Sequence, residues 1–299
     1  MQTQAFLRVL RGFCPVLREM DAFEEHAIRT TGDAVQDRRL AEIGGKGLFA
    51  KEIHEALIEG RVDFAVHSLK DLETTLPDGI VLACTLPRED TRDVLILGPG
   101  CQPKDVFDPY GALPRGAVVG TSSVRRQAQM LYARPDLRMA DIRGNVGTRL
   151  AKLQRFEYDA TLLAAAGLCR MDLKPPSCLL LEPEVMLPAV GQGTIGVTVR
   201  ASDTELRELL AAIEDPDARA VSTAERALLA ALDGSCHTPI GGYARLMAGA
   251  ELDLLGLIAR GDGSFLLKRR LRGSAADSAR IGAELGASLR RDAPSDMFH

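Results

Sequence analysis

The chain has 299 residues, 46% of them hydrophobic and 26% charged, with a formal net charge of −4. That length allows two or three domains with sizeable cores, and the composition is that of an ordinary globular protein. The acidic balance, 9 Phe, 4 Tyr and no Trp argue against a nucleic-acid partner, because the molecule repels phosphates and offers no stacking platforms beside its arginines.

Six scattered cysteines, with neither a CxxC nor zinc spacing, suit a reducing compartment and no metal. No run approaches the ~18 apolar residues of a membrane span, and the N-terminus lacks a signal-peptide core. A cytoplasmic protein with no membrane partner is expected.

Taken in order, residues 2–13 put Phe6, Leu7, Leu10 and Phe13 on one helical face, and Arg8 and Arg11 on the other. His26 to Thr31 reads as a short strand. A glycine loop, Gly44 to Gly47, holds Lys46 and enters a helix from about Leu48 to Glu59, stopped by Gly60. No Ser or Thr follows Lys46, so this is not a Walker A motif. Val62 to Val66 reads as a buried strand. It delivers His67, Ser68, Lys70 and Asp71 at its C-terminal end, the edge where ligands sit in open α/β sheets. Ile80 to Cys84 is another strand, Pro87 to Asp93 (PREDTRD) a crossing between domains, Val94 to Leu97 a new strand, and 98–116 a loop.

An apolar run from Ala117 to Val119 leads into Thr121, Ser122 and Ser123 and then a helix over Val124 to Tyr132. Arg125, Arg126, Arg134, Arg138, Arg143 and Arg149 fall within thirty residues, a local site for something anionic. The helix dipole disfavours cations in a first turn, so the adjacent Arg125 and Arg126 imply a bound anion that offsets the cost. Ala160 to Ala165 is a further apolar run, followed by Arg170. GQGTIG (191–196) matches GxGxxG in form, but the β-type run VTVR follows it, not a helix, which argues against a dinucleotide site. A helix over Ser222 to Leu232 ends before Ser235, Cys236 and His237. Three β-like runs and a last helix from about Ala275 to Arg290 then suit a small α+β domain with an antiparallel sheet. The strand–helix alternation across 26–200 argues a parallel, doubly wound α/β architecture in two halves.

GGKGLF (44–49), DFAVHSLKDL (63–72), PREDTRD (87–93), GTSSVRRQAQ (120–129), IRGNVGTRL (142–150), AAAGLCR (164–170), LPAVGQG (187–193) and DGSCHTPIG (233–241) stand in one consistent order. Together they resemble the hydroxymethylbilane synthase (porphobilinogen deaminase) family, from about residue 2 to about residue 245. The resemblance implies two doubly wound domains like those of a periplasmic binding protein, 1–90 with 192–215 and 91–191, flanking a cleft, and a third α+β domain, 216–299. It implies a monomer that condenses four porphobilinogen units head to tail with release of ammonia, primed by a dipyrromethane cofactor on a thioether to Cys236.

Each porphobilinogen carries an acetate and a propionate, so the growing chain is a polycarboxylate that arginine forks match. By the resemblance, Arg125, Arg126, Arg143, Arg149 and Arg170 bind those carboxylates with Lys46 and Lys70. Ser68, Thr121, Ser122 and Ser123 act as neutral donors, and Gln192 lies on the hinge side. Loss of ammonia leaves an electron-poor cation, and Asp71 is assigned to stabilise it. With an ordinary pKa of ~3.9 and cations nearby, Asp71 acts as an ionised partner of the pyrrole N–H groups.

Family members normally open with a strand and a GTRxSxLA-type motif, whereas Met1 here falls inside the helix that follows it. The expectation is a chain that starts downstream of the usual start, with a truncated or inactive homologue as alternative. A non-catalytic carboxylate-binding protein of the periplasmic type is the other alternative, and it has no use for Asp71 and Cys236 together.

Overall fold

The computed structural model describes residues 1–20, 22–28, 30, 50–101, 108–233 and 238–298. The expected glycine loop with Lys46, and the turn with Cys236, lie outside the described residues.

The chain opens in α1 (Gln2–Phe13), whose 3.6-residue spacing buries Phe6, Leu7 and Leu10 and leaves Phe13 in the last turn half exposed. A short α2 (Val16–Glu19) follows, and the described residues between 22 and 30 form no strand. Helix α3 (Lys51–Ile58) leads through Gly60, at φ +71°, into β1 (Phe64–Ser68), and β2 is Ile80–Thr85. The chain then crosses to β3 (Asp93–Leu97), β4 (Val118–Gly120), α4 (Val124–Ala133), β5 (Arg138–Ala140), α5 (Val146–Gln154), β6 (Ala160–Ala164), α6 (Ala165–Arg170) and β7 (Cys178–Leu181). It returns through Pro188–Thr194 to β8 (Ile195–Arg200), the strand that the β-type run after GQGTIG implied, and α7 (Thr204–Ala211). The last part is α8 (Pro216–Ala231), β9 (Ile240–Met247), β10 (Glu251–Ala259), β11 (Leu266–Ser274) and α9 (Ser278–Asp292).

Three sheets result. The first has the order β1-β8-β2, with α1 packed over it: Phe6 meets Phe64 edge-on at 5.1 Å, in a cluster with Leu10, Val197, Val199 and Leu210. The second has the order β5-β4-β6-β3-β7. Every residue of β3 is buried, and its alternate side chains enter two different cores: Leu95 and Leu97 one, Val94 and Ile96 the other. A strand covered on both faces reads as a continuous apolar run, as VLIL does.

The expected parallel pairing holds only for β5-β4-β6. Strand β3 is antiparallel to β6 and β7, and β8 is antiparallel to β1 and β2. The reason is connectivity. Each of these strands comes straight off a crossing, without an intervening helix to carry the chain back, so it enters its new sheet reversed.

The third sheet, β9-β10-β11, is antiparallel as expected. One face packs on α8 and α9, which approach so closely that a Cβ on Gly282 would stand 2.1 Å from the Ala224 carbonyl oxygen. From the other face Leu255 and Leu257 reach Ala128 and Leu187.

The two crossings lie side by side: Glu89 N donates to Gly193 O at 3.1 Å and Leu86 N to Ile195 O at 3.0 Å. Gly193 holds φ +91°, and a Cβ there would meet the Glu89 oxygen at 2.5 Å. Gly193→Ala is therefore expected to destabilise the protein by about 1–3 kcal/mol, from backbone strain alone, measured as a fall in the denaturant midpoint. Beneath the crossings Glu225 of α8, fully buried, accepts from Arg88 (2.7 and 3.0 Å), Gly191 N (2.7 Å) and Ala244 N (2.7 Å). Among the described residues no helix is long and apolar enough to cross a membrane.

Candidate active site

Strand β1 ends in a single 3-10 turn, Leu69–Asp71, which puts Lys70 and Asp71 on the surface beside it. The turn seats against the second crossing. Leu69 N donates to Thr194 O at 3.0 Å, and a Cβ on Gly191 would come within 3.1 Å of Lys70 N. Lys70 is open to water yet ringed by protein. Crowding by protein lowers its pKa, Asp71 and Asp93 raise it, and Arg126 and Arg125 lower it, so charges of both the β1 edge and the arginine helix act on this amine.

Across from it, α4 starts where the sequence places it. Ser123 is the N-cap, its Oγ accepting from Arg126 N at 3.4 Å. Thr121 Oγ1 accepts from Ser123 N, and Ser122 Oγ donates to Ile142 O at 2.6 Å. The single hydroxyl proton of Ser122 is thus engaged inside the protein, which removes its side chain from the expected donors. Ser68 Oγ contacts the Gln2 amide nitrogen.

Arg125 and Arg126 correct the sequence reading in one respect. Both are buried, and the anion that offsets them is internal: Asp93 Oδ2 lies 2.8 Å from Arg125 Nη1, and Asp93 Oδ1 lies 2.7 Å from Arg126 Nη2. Arg125 Nη1 also donates to Leu187 O (2.6 Å) and Arg126 Nη1 to Leu162 O (2.9 Å). Burial alone would raise the Asp93 pKa, but the two guanidiniums overcome it and hold the carboxyl well below its ordinary range. The cluster keeps a net positive charge.

Gln192, expected among the ligands, is buried, and its amide nitrogen donates to Thr91 O (2.7 Å) and Asp93 Oδ1 (3.0 Å). It ties the two crossings to the arginine cluster instead of facing a ligand. Asp93 was legible as the last letter of PREDTRD but not as a site residue. The available signal was an acid opening an otherwise apolar strand, which needs buried partners.

The outer arginines are differently placed. Arg149, half-buried, donates from Nε to Gly144 O at 2.9 Å; burial, Arg126 and Arg143 all lower its pKa. Arg170 donates to Gly193 O at 2.6 Å, and burial lowers its pKa against the pull of Glu89. Among the described residues neither has an ion pair. Arg143 stands 3.5 Å from Asp141. Guanidiniums close enough to depress the pKa of Arg149 form a site whose charge calls for anions.

Beside the Asp71 turn lies a buried polar group, of which the sequence singled out His67 but not His54 or Glu73. His54 Nδ1 is 3.3 Å from Glu73 Oε1, the His54 and His67 ring centroids are 6.0 Å apart, and His67 Nε2 bonds Thr198 Oγ1 at 2.8 Å. Burial, then His54, push the His67 pKa down to about 4, with Glu73 opposing, so His67 is neutral near pH 7. A depressed folded-state value means that stability is full above the unfolded pKa near 6.5 and falls as pH drops toward 4. His67→Gln is expected to flatten that part of the stability–pH curve by on the order of 3 kcal/mol, read from denaturant midpoints at pH 7 and pH 4.

Residues 1–208 match the family model described as "Porphobilinogen deaminase, dipyromethane cofactor binding domain", and residues 219–291 match "Porphobilinogen deaminase, C-terminal domain". A porphobilinogen deaminase of Paracoccus denitrificans is 50% identical over 278 residues, 93% of this chain and 86% of that one. One from Roseiflexus castenholzii is 51% identical over 262 residues, 88% and 84% of the two chains. A solved periplasmic binding protein of Salmonella typhimurium aligns at 12% identity with a TM-score of 0.34, over 57% of this chain and 71% of that one. With family models matched along nearly its whole length and curated relatives at half identity, the chain belongs to the porphobilinogen deaminase family.

Proposed function

We propose that the chain is a hydroxymethylbilane synthase, a transferase that joins four porphobilinogen units head to tail and releases an ammonia at each addition. The observation that supports this, beyond family membership, is that one crossing touches both halves of the site: Thr194 O accepts from Leu69 N of the Asp71 turn, while Gln192 bonds Asp93 and Gly193 O accepts from Arg170 on the arginine side. A polycarboxylate needs the second, and an electron-poor cation needs the first.

The residues suit a dipyrromethane, which brings acetate and propionate groups: Arg149 and Arg170 each donate to a single backbone carbonyl and have no ion pair among the described residues. When bound, through Cys236, that group supplies the pyrrole carbon that starts chain growth. Arg143, Arg149 and Arg170, with Lys46 and Lys70, bind the carboxylates. Arg125 and Arg126 contribute the net charge of the Asp93 cluster, and Gln192 fixes that cluster to the crossings. Asp71 supplies the carboxylate that would stabilise the cation formed as ammonia leaves.

In this reading 1–90 with 192–215 carries Asp71, 91–191 carries the arginines and 216–299 carries the attachment cysteine. The protein works as a monomer in the cytoplasm. Cys236→Ser is expected to abolish porphobilinogen turnover. Retained turnover in that variant refutes the cofactor assignment, and a non-catalytic carboxylate-binding protein then becomes the better reading.

A further inference from the structure

We infer that Arg226 and the His54–Glu73 pair are positioning residues for Asp71, the two jaws of a clamp on the turn that carries it. The inference rests on the proposed synthase reading. Arg226, the residue after Glu225 on α8, reaches the backbone just beyond Asp71. Its Nη1 donates to Leu72 O at 3.1 Å, and its Nη2 to Glu73 O at 2.7 Å and Thr74 O at 3.2 Å. Among the described residues it has no ion pair. A guanidinium directed at three successive carbonyls fixes the direction of the peptide groups, where one directed at a carboxylate would only neutralise charge.

The second jaw grips the same residue by its side chain. Glu73 is 15% exposed, and its carboxylate lies against the 3%-exposed ring of His54 on α3. His54 is backed by His67, which is itself held by Thr198 on β8. The third wall is the crossing, with Thr194 O on Leu69 N and Gly191 against Lys70. The turn is thus held by α3, α8 and the crossing at once.

Helix α8 does two jobs with adjacent residues. Glu225 takes the crossing through Gly191 N and Arg88, and Arg226 takes the Asp71 turn. The same helix leads, after Ala231, into the segment that carries Cys236. A clamp at this point fixes the Asp71 turn against α8. Displacement of a positioned group by an ångström slows chemistry by ~100-fold without weakening binding to match.

The test uses the full chain with Arg226→Met, Arg226→Lys and Glu73→Gln, followed by intact mass, hydrogen exchange, kcat and KM. Arg226→Met is expected to speed amide exchange over 69–76 by about tenfold or more, leaving β9 and β10 unchanged. It is expected to lower kcat ~10–100-fold with KM within about twofold and the mass increment intact. Arg226→Lys recovers part of both effects, and Glu73→Gln shows a smaller change of the same kind. Unchanged exchange over 69–76, or faster exchange with kcat at the wild-type value, overturns the clamp. If Arg226→Met does not fold, Arg226→Lys and Glu73→Gln decide by the same two outcomes. A wild-type chain without turnover sinks the synthase reading, while the exchange result still tells whether the jaws hold the turn.

Discussion

Asp93→Asn is expected to destabilise the protein by about 3–5 kcal/mol, the range for removing one partner of a buried ion pair. The substitution keeps the shape of the side chain and removes its charge. It leaves Arg125 and Arg126, both buried, with no other ion pair among the described residues. The loss is full above an ordinary carboxylate pKa of ~3.9 and shrinks as pH falls through the lower folded-state value, because the native Asp93 then becomes protonated too. Denaturant midpoints of wild type and variant at neutral pH measure it. Combining Asp93→Asn with Arg125→Gln should cost less than the two changes added, since the second removes one stranded cation. A loss under about 1 kcal/mol would place the variant among ordinary substitutions and contradict the internal-counterion account.

Asp71→Asn is expected to lower kcat by ~100–1000-fold, the scale for removing one preorganised electrostatic group, while the dipyrromethane still loads. The asymmetry follows from the proposed division of labour: Asp71 closes the 3-10 turn after β1, whereas Arg149 and Arg170, proposed to bind carboxylates, stand on α5 and α6. Steady-state rates with intact mass on the same preparation separate the two effects. Turnover within about tenfold of wild type would remove Asp71 from the role of cation stabiliser.

Much of this was legible because the signals are local. The 3.6-residue spacing of Phe6, Leu7 and Leu10 gives α1, Ser123 before VRRQAQ gives the start of α4, and the alternation in the tail gives β9-β10-β11. The turn bearing Lys70 and Asp71 follows from a short apolar run and its end. Strand direction was less legible. Whether β3 runs with or against β6 depends on where a crossing enters the sheet, and VLIL reads the same either way. The internal counterion was harder still. Asp93 and Arg126 are 33 residues apart, and an anion required by Arg125 and Arg126 can be a ligand or a side chain on sequence grounds alike. The same holds for Arg226, whose carbonyl partners lie more than 150 residues away. Backbone acceptors leave no residue-type signal at all.

In the proposed reading this chain carries a covalent dipyrromethane and uses it as primer. The most direct test is the intact mass of the purified 299-residue chain, set beside that of Cys236→Ser. The expected result is an excess corresponding to two pyrrole units in the first and the bare polypeptide mass in the second. A bare mass in both, or an equal excess in both, would contradict it.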